Sequence, residues 1–151
     1  MVEPKSCLEG EVVVPYRWSF GRSLGRFFEG LARRKIYGAR CLSCKKVLVP
    51  PTNLCGACFS GTEDEWIEIG PAGVVTAATT VYLSFPGQPR EPPYTWVTLA
   101  LDGADSGFFH VIEEADPSEV KVGMRVEPVW NPAPKGDIND ILYYRPVRGS
   151  P

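Results

Sequence analysis

The stretch Cys41-Leu42-Ser43-Cys44 is followed, ten residues later, by Cys55-Gly56-Ala57-Cys58. Zinc prefers four tetrahedral thiolates, and each Cys-x-x-Cys motif supplies two of them from one tight turn. The spacer is long enough for a hairpin that brings the two turns together. We therefore predict one structural zinc ion on Cys41, Cys44, Cys55 and Cys58. A redox dithiol pair is the rival interpretation, and the presence of two matched motifs disfavours it.

A four-cysteine site is closed and leaves no position for water or substrate, so it explains folding and not catalysis. The only histidine, His110, lies in a predicted strand, where a lone histidine is usually structural. The fifth cysteine, Cys7, lies in a predicted tail without a nearby base and would be a poor nucleophile. The sequence also lacks a glycine-rich phosphate loop. These observations predict a chain that is not catalytic by itself.

Apolar residues recur at three- and four-residue steps between residues 17 and 37, which predicts one face of an amphipathic helix. Its glycines, Gly21, Gly25 and Gly30, weaken an isolated helix, so it needs a surface to lie against. That surface is either the chain's own domain or a partner protein. The candidate partner-interface residues are Phe20, Leu24, Phe27, Phe28 and Leu31.

After the cysteines, runs rich in Val, Thr and Tyr alternate with Gly, Pro, Asp and Asn, which is typical of strands and turns. Residues 102–107 predict a hairpin loop, and the proline-rich residues 86–93 predict a stiff loop between the first two barrel strands. About five strands fit a small Greek-key barrel of the OB type, although a short β-sandwich would give the same count.

The predicted fold is mainly β, with an N-terminal amphipathic helix, a four-cysteine zinc ribbon and then a five-stranded OB-type barrel. The predicted segments are a tail (1–16), the helix (17–37), the ribbon (38–63), the barrel (64–147) and a second tail (148–151).

The net charge of −2 hides a strong asymmetry along the chain. Residues 17–46 contain nine basic residues and one acidic residue, a local charge of +8, whereas the rest of the chain carries −10. Such a basic segment either attracts phosphate groups or is an ordinary solvated helix face. No apolar run approaches the roughly 20 residues that span a bilayer, and the N-terminus lacks the apolar core of a signal peptide. We therefore expect a cytoplasmic protein with no membrane partner.

The order of these parts points to a known family. The segments that carry the resemblance are 27–31, 36–51, Cys55-Gly56-Ala57-Cys58, Glu65-Trp66-Ile67-Glu68, Gly73-Val74-Val75-Thr76 and 122–128. Together they closely resemble the acyl-CoA-associated zinc-ribbon/OB-fold family, and the resemblance covers nearly everything after Tyr16. The sequence departs from the family at Lys45, where glycine is usual.

The resemblance implies an accessory subunit that scaffolds a thiolase-superfamily enzyme and helps to bind its CoA ester. The catalytic residues would belong to the partner, and two copies of each subunit are expected because thiolase-type enzymes are usually dimers. The specific reaction implied is thiolytic cleavage of benzoylsuccinyl-CoA in anaerobic toluene degradation. Basic side chains suit the phosphates of CoA; the candidates are Arg33, Arg34, Lys35, Arg40, Lys45 and Lys46.

Two other functions fit parts of the sequence. OB barrels can bind single-stranded nucleic acid through a basic groove and stacking aromatics, but the barrel segment here belongs to the acidic part of the chain. The aromatics available for stacking are Trp66, Tyr82, Phe85 and Trp96. A stand-alone acyl-CoA-binding module is the second alternative, and it would bind CoA esters without an enzyme partner.

Overall fold

The computed structural model describes Gly10, residues 13–88 and residues 90–147, with residues 63–65 described by their backbone only. The predicted tail 148–151, most of the predicted tail 1–16 and Cys7 lie outside the described residues. A short 3₁₀ helix covers Ile138–Asp140. The other elements are α1 (Gly21–Leu31), β1 (Ile36–Cys41), β2 (Val47–Leu48), β3 (Thr62–Ile69), β4 (Gly73–Val81), β5 (Tyr94–Leu101), β6 (Gly107–Ile112), β7 (Arg125–Trp130) and β8 (Ile141–Pro146).

Helix α1 is shorter than the predicted 17–37 because a specific turn stops it. The N–H of Lys35 donates to the carbonyl of Gly30 at 2.9 Å, and the N–H of Arg34 donates to the carbonyl of Leu31 at 2.8 Å. This bonding pattern closes a helix when the intervening residue is left-handed, and Arg34 has φ 58°. The chain then leaves the helix, so residues 36 and 37 belong to β1 instead.

The ribbon sheet has the order β2-β1-β3, and all of its pairs are antiparallel. Ile36 pairs with Ile69 and Tyr37 pairs with Glu68, so β3 belongs to this sheet along its length. We predicted a barrel segment that begins at residue 64, and in the structure the closed barrel begins at β4. After the helix, β1 runs alongside β3 and supplies its hydrogen-bond partners.

The second sheet is a closed barrel with the order β4-β5-β6-β8-β7, which confirms the predicted five-stranded OB-type barrel. β5 and β6 form the predicted hairpin around residues 102–107. The parallel pairing of Ile112 on β6 with Tyr144 on β8 closes the barrel. The last strand, β8, begins at Ile141, directly after the 3₁₀ helix.

Ribbon, helix and barrel share one apolar core. The ring of Phe27 on α1 lies 6.5 Å from the ring of Phe108 on β6. Val47 and Asp105 bond each other twice, from the N–H of Val47 to the Asp105 carboxylate and from the N–H of Asp105 to the carbonyl of Val47, both at 2.8 Å. The two sheets are therefore joined by packing and by hydrogen bonds.

Two glycines of α1 should respond in opposite directions to alanine. A Cβ on Gly30 would lie 2.5 Å from the ring of Tyr37 and 2.9 Å from the carbonyl of Lys35, whereas a Cβ on Gly25 would meet only Phe20, at 3.5 Å. We expect Gly30→Ala to lower the free energy of unfolding by about 1–3 kcal/mol through overpacking. Gly25→Ala should raise it by up to about 1 kcal/mol through helix propensity. Urea denaturation of both variants measures the difference, and equal effects would contradict the close contact at Gly30.

Candidate metal centre and adjoining surfaces

The four predicted metal ligands meet at one point of the ribbon. All four sulfur atoms lie within 4.8 Å of one another, with Cys41 to Cys58 at 3.4 Å and Cys44 to Cys55 at 3.6 Å. A zinc ion bound by four thiolates at about 2.3 Å separates neighbouring sulfurs by about 3.8 Å, so the cluster has the right size and donor chemistry. Cys41 and Cys55 are buried, and Cys44 and Cys58 lie at the surface. The four cysteines are thus positioned for a metal ion.

Both Cys-x-x-Cys turns are built in the same way. The N–H of Cys41 donates to the carbonyl of Lys46 at 2.8 Å, and the N–H of Cys55 donates to the carbonyl of Ser60 at 2.9 Å. The residue directly after each second cysteine is left-handed, with φ 62° at Lys45 and φ 58° at Phe59. This conformation explains why glycine suits position 45, and lysine keeps the turn at a cost of about 1–2 kcal/mol.

Backbone amides and neighbouring thiols set the proton affinities of the cluster unequally. The Ser60 amide, with help from Cys41, lowers the pKa of Cys58 to about 6. The amides of Ala57 and Cys58 lower the pKa of Cys55. The Lys46 amide also lowers the pKa of Cys44, but desolvation and hydrogen bonds to the other thiols outweigh it and raise this pKa to about 11. A bound cation would favour all four thiolates at once, so metal and protons compete for the site.

Apolar side chains stand exposed beside the metal cluster. Leu42, Leu54 and Phe59 are 54%, 61% and 80% exposed, and we call these three residues the ribbon tip. Leu54 bridges to Gly61, and the N–H of Leu42 donates to the carbonyl of Gly61, so the first two lie close together. Sequence reasoning missed this surface, although an apolar residue inside or just after a Cys-x-x-Cys turn is a readable signal.

The basic residues predicted to form one phosphate-binding surface fall into two groups. Arg33, Arg34 and Lys35 precede β1, whereas Lys45 and Lys46 follow it, beside the metal cluster. The five residue-to-residue steps from Lys35 to Arg40 span about 17 Å in extended chain, so the groups lie well apart. Lys35 is paired with Glu68 at 2.6 Å, which raises the pKa of Lys35.

The residues predicted as a partner interface divide by burial. Phe27 and Leu31 are fully buried in the chain's own core, so in this structure they have no surface to offer a partner. Leu24 and Phe28 are half-buried and Phe20 is exposed. Helix α1 thus lies mainly on its own domain, which was one of the two surfaces considered from the sequence.

The outer face of β5 and β6 carries an aromatic pair that sequence reasoning did not identify. Trp96 stacks on Phe109 with ring centroids 4.7 Å apart and planes at 11°. A cavity of about 310 Å³ adjoins the pair and is also lined by Arg90, Ile138 and Asn139. The position of Phe109 follows from strand register, because its neighbour Thr98 shares a face with Trp96. Trp66 lies on β3 of the other sheet, so the four aromatics considered for stacking do not form one platform.

His110 points into the barrel and not toward a reaction site. It is 8% exposed, and its ring lies over that of Phe108 at 6.0 Å. Burial, which disfavours the charged ring, lowers the pKa of His110. The imidazole therefore acts as a neutral core group at neutral pH.

Comparison with known proteins reveals two matching domain families. The ChsH2 rubredoxin-like zinc ribbon domain matches residues 28–64, and the ChsH2 C-terminal OB-fold domain matches residues 66–131. A DUF35 domain-containing scaffold protein from Methanocaldococcus jannaschii is 25% identical over 109 residues, which are 72% of this chain and 77% of that protein. No helix of the described residues is long and apolar enough to cross a membrane.

Two solved structures share the fold. A chain of the Ltp2-ChsH2(DUF35) aldolase aligns with a TM-score of 0.63 and 25% identity, covering 86% of this chain and 98% of that one. A DUF35-family protein of unknown function from Sulfolobus solfataricus aligns with a TM-score of 0.55 and 27% identity, covering 69% and 75%. The match to the aldolase chain thus extends over both sheets.

Removing one ligand should weaken metal binding and destabilise the ribbon. We expect the purified wild-type chain to contain one zinc per chain and Cys58→Ser to contain much less, because three thiolates hold the ion more weakly. Elemental analysis by mass spectrometry measures the ratio. Cys7→Ser is the matched control, since it removes the one cysteine outside the cluster and should keep the zinc. Equal zinc loss in both variants would contradict the assignment of the ligands.

Proposed function

We propose that this chain is the non-catalytic scaffold subunit of a thiolase-type acyl-CoA complex, because it belongs to the ChsH2 (DUF35) family of zinc-ribbon and OB-fold proteins. The observation that carries the proposal is the alignment with a chain of the Ltp2-ChsH2(DUF35) aldolase, which covers nearly all of that chain. The curated relative is itself named a scaffold protein. A two-sheet body with a shared core suits a subunit whose task is to hold a second protein in place.

The metal ion would stabilise the fold of this subunit and would take no part in the reaction. Four thiolates close the coordination of a zinc ion, which then contributes folding free energy to a small domain. The residues of this chain that would hold it are Cys41, Cys44, Cys55 and Cys58. The catalytic nucleophile and base would come from the partner subunit.

The ribbon tip is the surface that best supports docking of the catalytic partner. Phe59 is 80% exposed and left-handed, so its side chain adds strain and exposed apolar surface without stabilising the isolated ribbon. Clustered exposed apolar residues commonly mark protein interfaces. Lys45 and Lys46 flank the tip and would favour an acidic rim on the partner.

The CoA ester would lie with its phosphates against one of the two basic groups. Arg40, Lys45 and Lys46 are the better candidates because they lie toward the metal cluster and the ribbon tip, where the partner would sit. Lys35 is less suitable because Glu68 already neutralises it. The substrate that we propose is benzoylsuccinyl-CoA, cleaved thiolytically.

Docking at the ribbon tip is tested with a variant that spares the fold. We expect the tagged chain to co-purify with a thiolase-superfamily subunit in equal amounts and the pair to cleave benzoylsuccinyl-CoA with CoA. Phe59→Gly should lower the amount of partner that co-purifies at least about tenfold, because it removes an aromatic side chain that the partner would bury. Glycine accepts the left-handed backbone at this position. Arg34→Gly, at a left-handed position away from the ribbon tip, controls for backbone effects and should retain the partner. Recovery of nucleic acid instead of an enzyme subunit would contradict the proposal.

Substitutions in the two basic groups should change the KM of the assembled complex to different extents. Arg40→Ala with Lys46→Ala should raise the KM for the CoA ester about tenfold, because lost phosphate contacts weaken ground-state and transition-state binding alike. Arg33→Ala with Arg34→Ala should leave KM nearly unchanged. Steady-state kinetics of both pairs measure this, and the reverse pattern would move the phosphate site to the start of β1.

A further inference from the structure

The first barrel strand carries an edge that is only partly paired. One edge of β4 pairs with β5 from Gly73 to Val81. On the other edge, Gly73 and Val74 pair with β7, and Val75 bonds the main chain of Gly123 and Met124 at 2.8 and 2.9 Å. From Thr76 to Val81, no main-chain group of the described residues bonds this second edge. We call residues 76–81 the open edge; its six residues are about 20 Å long.

The open edge is accessible and lacks the usual protection. Residues 76–79 are exposed. Its sequence, Thr-Ala-Ala-Thr-Thr-Val, has no charge, no proline and no glycine, although natural edge strands are commonly blocked by lysine, proline or a bulge. The bulge of β4 lies between Val75 and Ala77, at the beginning of this stretch, so the remainder is free to pair.

The pairing of β6 with β8 in the barrel is also short, but a side chain of α1 packs beside it. β6 and β8 pair at Ile112 and Tyr144, and the N–H of Glu113 donates to the carbonyl of Tyr144 at 2.9 Å. The neighbouring Phe108 is buried because Phe27 of α1 packs against it. β3 lies at the edge of the ribbon sheet, and its sequence includes the acidic run Glu63-Asp64-Glu65. Unlike these other edges among the strands that the structure describes, the open edge of β4 is long, exposed and uncharged.

The composition of the open edge fits a second copy of itself. A two-fold interface places the same surface on both subunits, so the surface must be complementary to itself. Antiparallel pairing about an axis near Ala78 and Thr79 would set threonine, alanine and valine opposite one another. No like charges would meet, and such cross-strand pairs are favourable.

Exposed apolar residues directly beyond the strand would enlarge the contact. Tyr82, Leu83 and Phe85 are 71%, 81% and 54% exposed. In an antiparallel pair, the end of one β4 lies beside the beginning of the open edge of the other, so these side chains would be covered. Stable interfaces bury roughly 1,200–2,000 Å² in total, and a strand pair alone supplies less than that.

We propose that two copies of this chain associate by antiparallel pairing of the open edge, Thr76–Val81 of β4, into a sheet that continues from one barrel to the other. The main chain supplies hydrogen bonds across the two-fold axis, and Tyr82, Leu83 and Phe85 supply apolar area. The association does not depend on the enzyme partner, so it is independent of the proposed function.

Light scattering after size-exclusion chromatography of the full chain tests the pairing. We expect a mass of twice 16.6 kDa that falls toward 16.6 kDa on dilution. Ala78→Glu with Thr79→Glu should weaken association at least about tenfold by opposing like charges, as should the corresponding lysine pair. Mixing the glutamate and lysine variants should restore the dimer, because opposite charges then face each other. Val122→Glu, at a 70% exposed site outside the open edge, is the matched control and should remain dimeric.

Hydrogen exchange of the wild-type chain gives a second measurement that needs no substitution. Amides of residues 76–81 should exchange more slowly at high protein concentration than at low concentration. A wild-type chain that stays monomeric, a dimer that the charged pairs leave intact, or exchange independent of concentration would each overturn the proposal.

Discussion

The meeting of four sulfur atoms within 4.8 Å is the constraint on which the ribbon depends. Between β2 and β3 lie thirteen residues without regular strand, and β2 itself has only two residues. The segment that holds the cysteines therefore has few strand hydrogen bonds and little apolar core of its own. A bound zinc ion contributes on the order of 10 kcal/mol to such domains, enough to replace the missing core. The amide bonds to Cys55 and Cys58 prepare the same sulfurs for a cation by stabilising thiolates.

β1 and β2 connect the metal cluster to the barrel through packing and hydrogen bonds. β1 runs from Cys41 back to Ile36, which is fully buried in the common core. Val49, directly after β2, bonds the hairpin of the barrel: the hydroxyl of Ser106 accepts from the N–H of Val49 at 2.7 Å and donates to its carbonyl at 2.9 Å. Asp102, in the same hairpin, is held by Arg125, which lowers the pKa of the Asp102 carboxyl. Loss of the metal should therefore loosen one side of the barrel as well as the ribbon.

The sequence predicted those features that depend on local spacing. Two Cys-x-x-Cys motifs predicted the metal cluster, and runs rich in Val, Thr and Tyr, separated by turn residues, predicted the barrel strands. It did not predict features decided by packing at a distance. Residues 66–69 have the same strand character whether they join the ribbon or the barrel, and only the position of β1 decides between them. The helix ends at Leu31, and the left-handed residue of its closing turn is Arg34 and not a glycine. The stacking of Trp96 on Phe109 depends on the register of two strands, and residue types alone do not reveal that register.

The interior of the barrel explains why function belongs to the surfaces of this protein. Its titratable groups are held neutral by burial, which lowers the pKa of His110 and raises the pKa of Tyr144. The hydroxyl of Tyr144 has no hydrogen-bond partner among the described residues, so it is a cost to the core and not part of a proton relay. Neutral groups packed this closely exclude water and substrate. By contrast, the ribbon tip exposes apolar side chains, and the open edge exposes main-chain groups that no described residue bonds, so both surfaces suit contact with another protein.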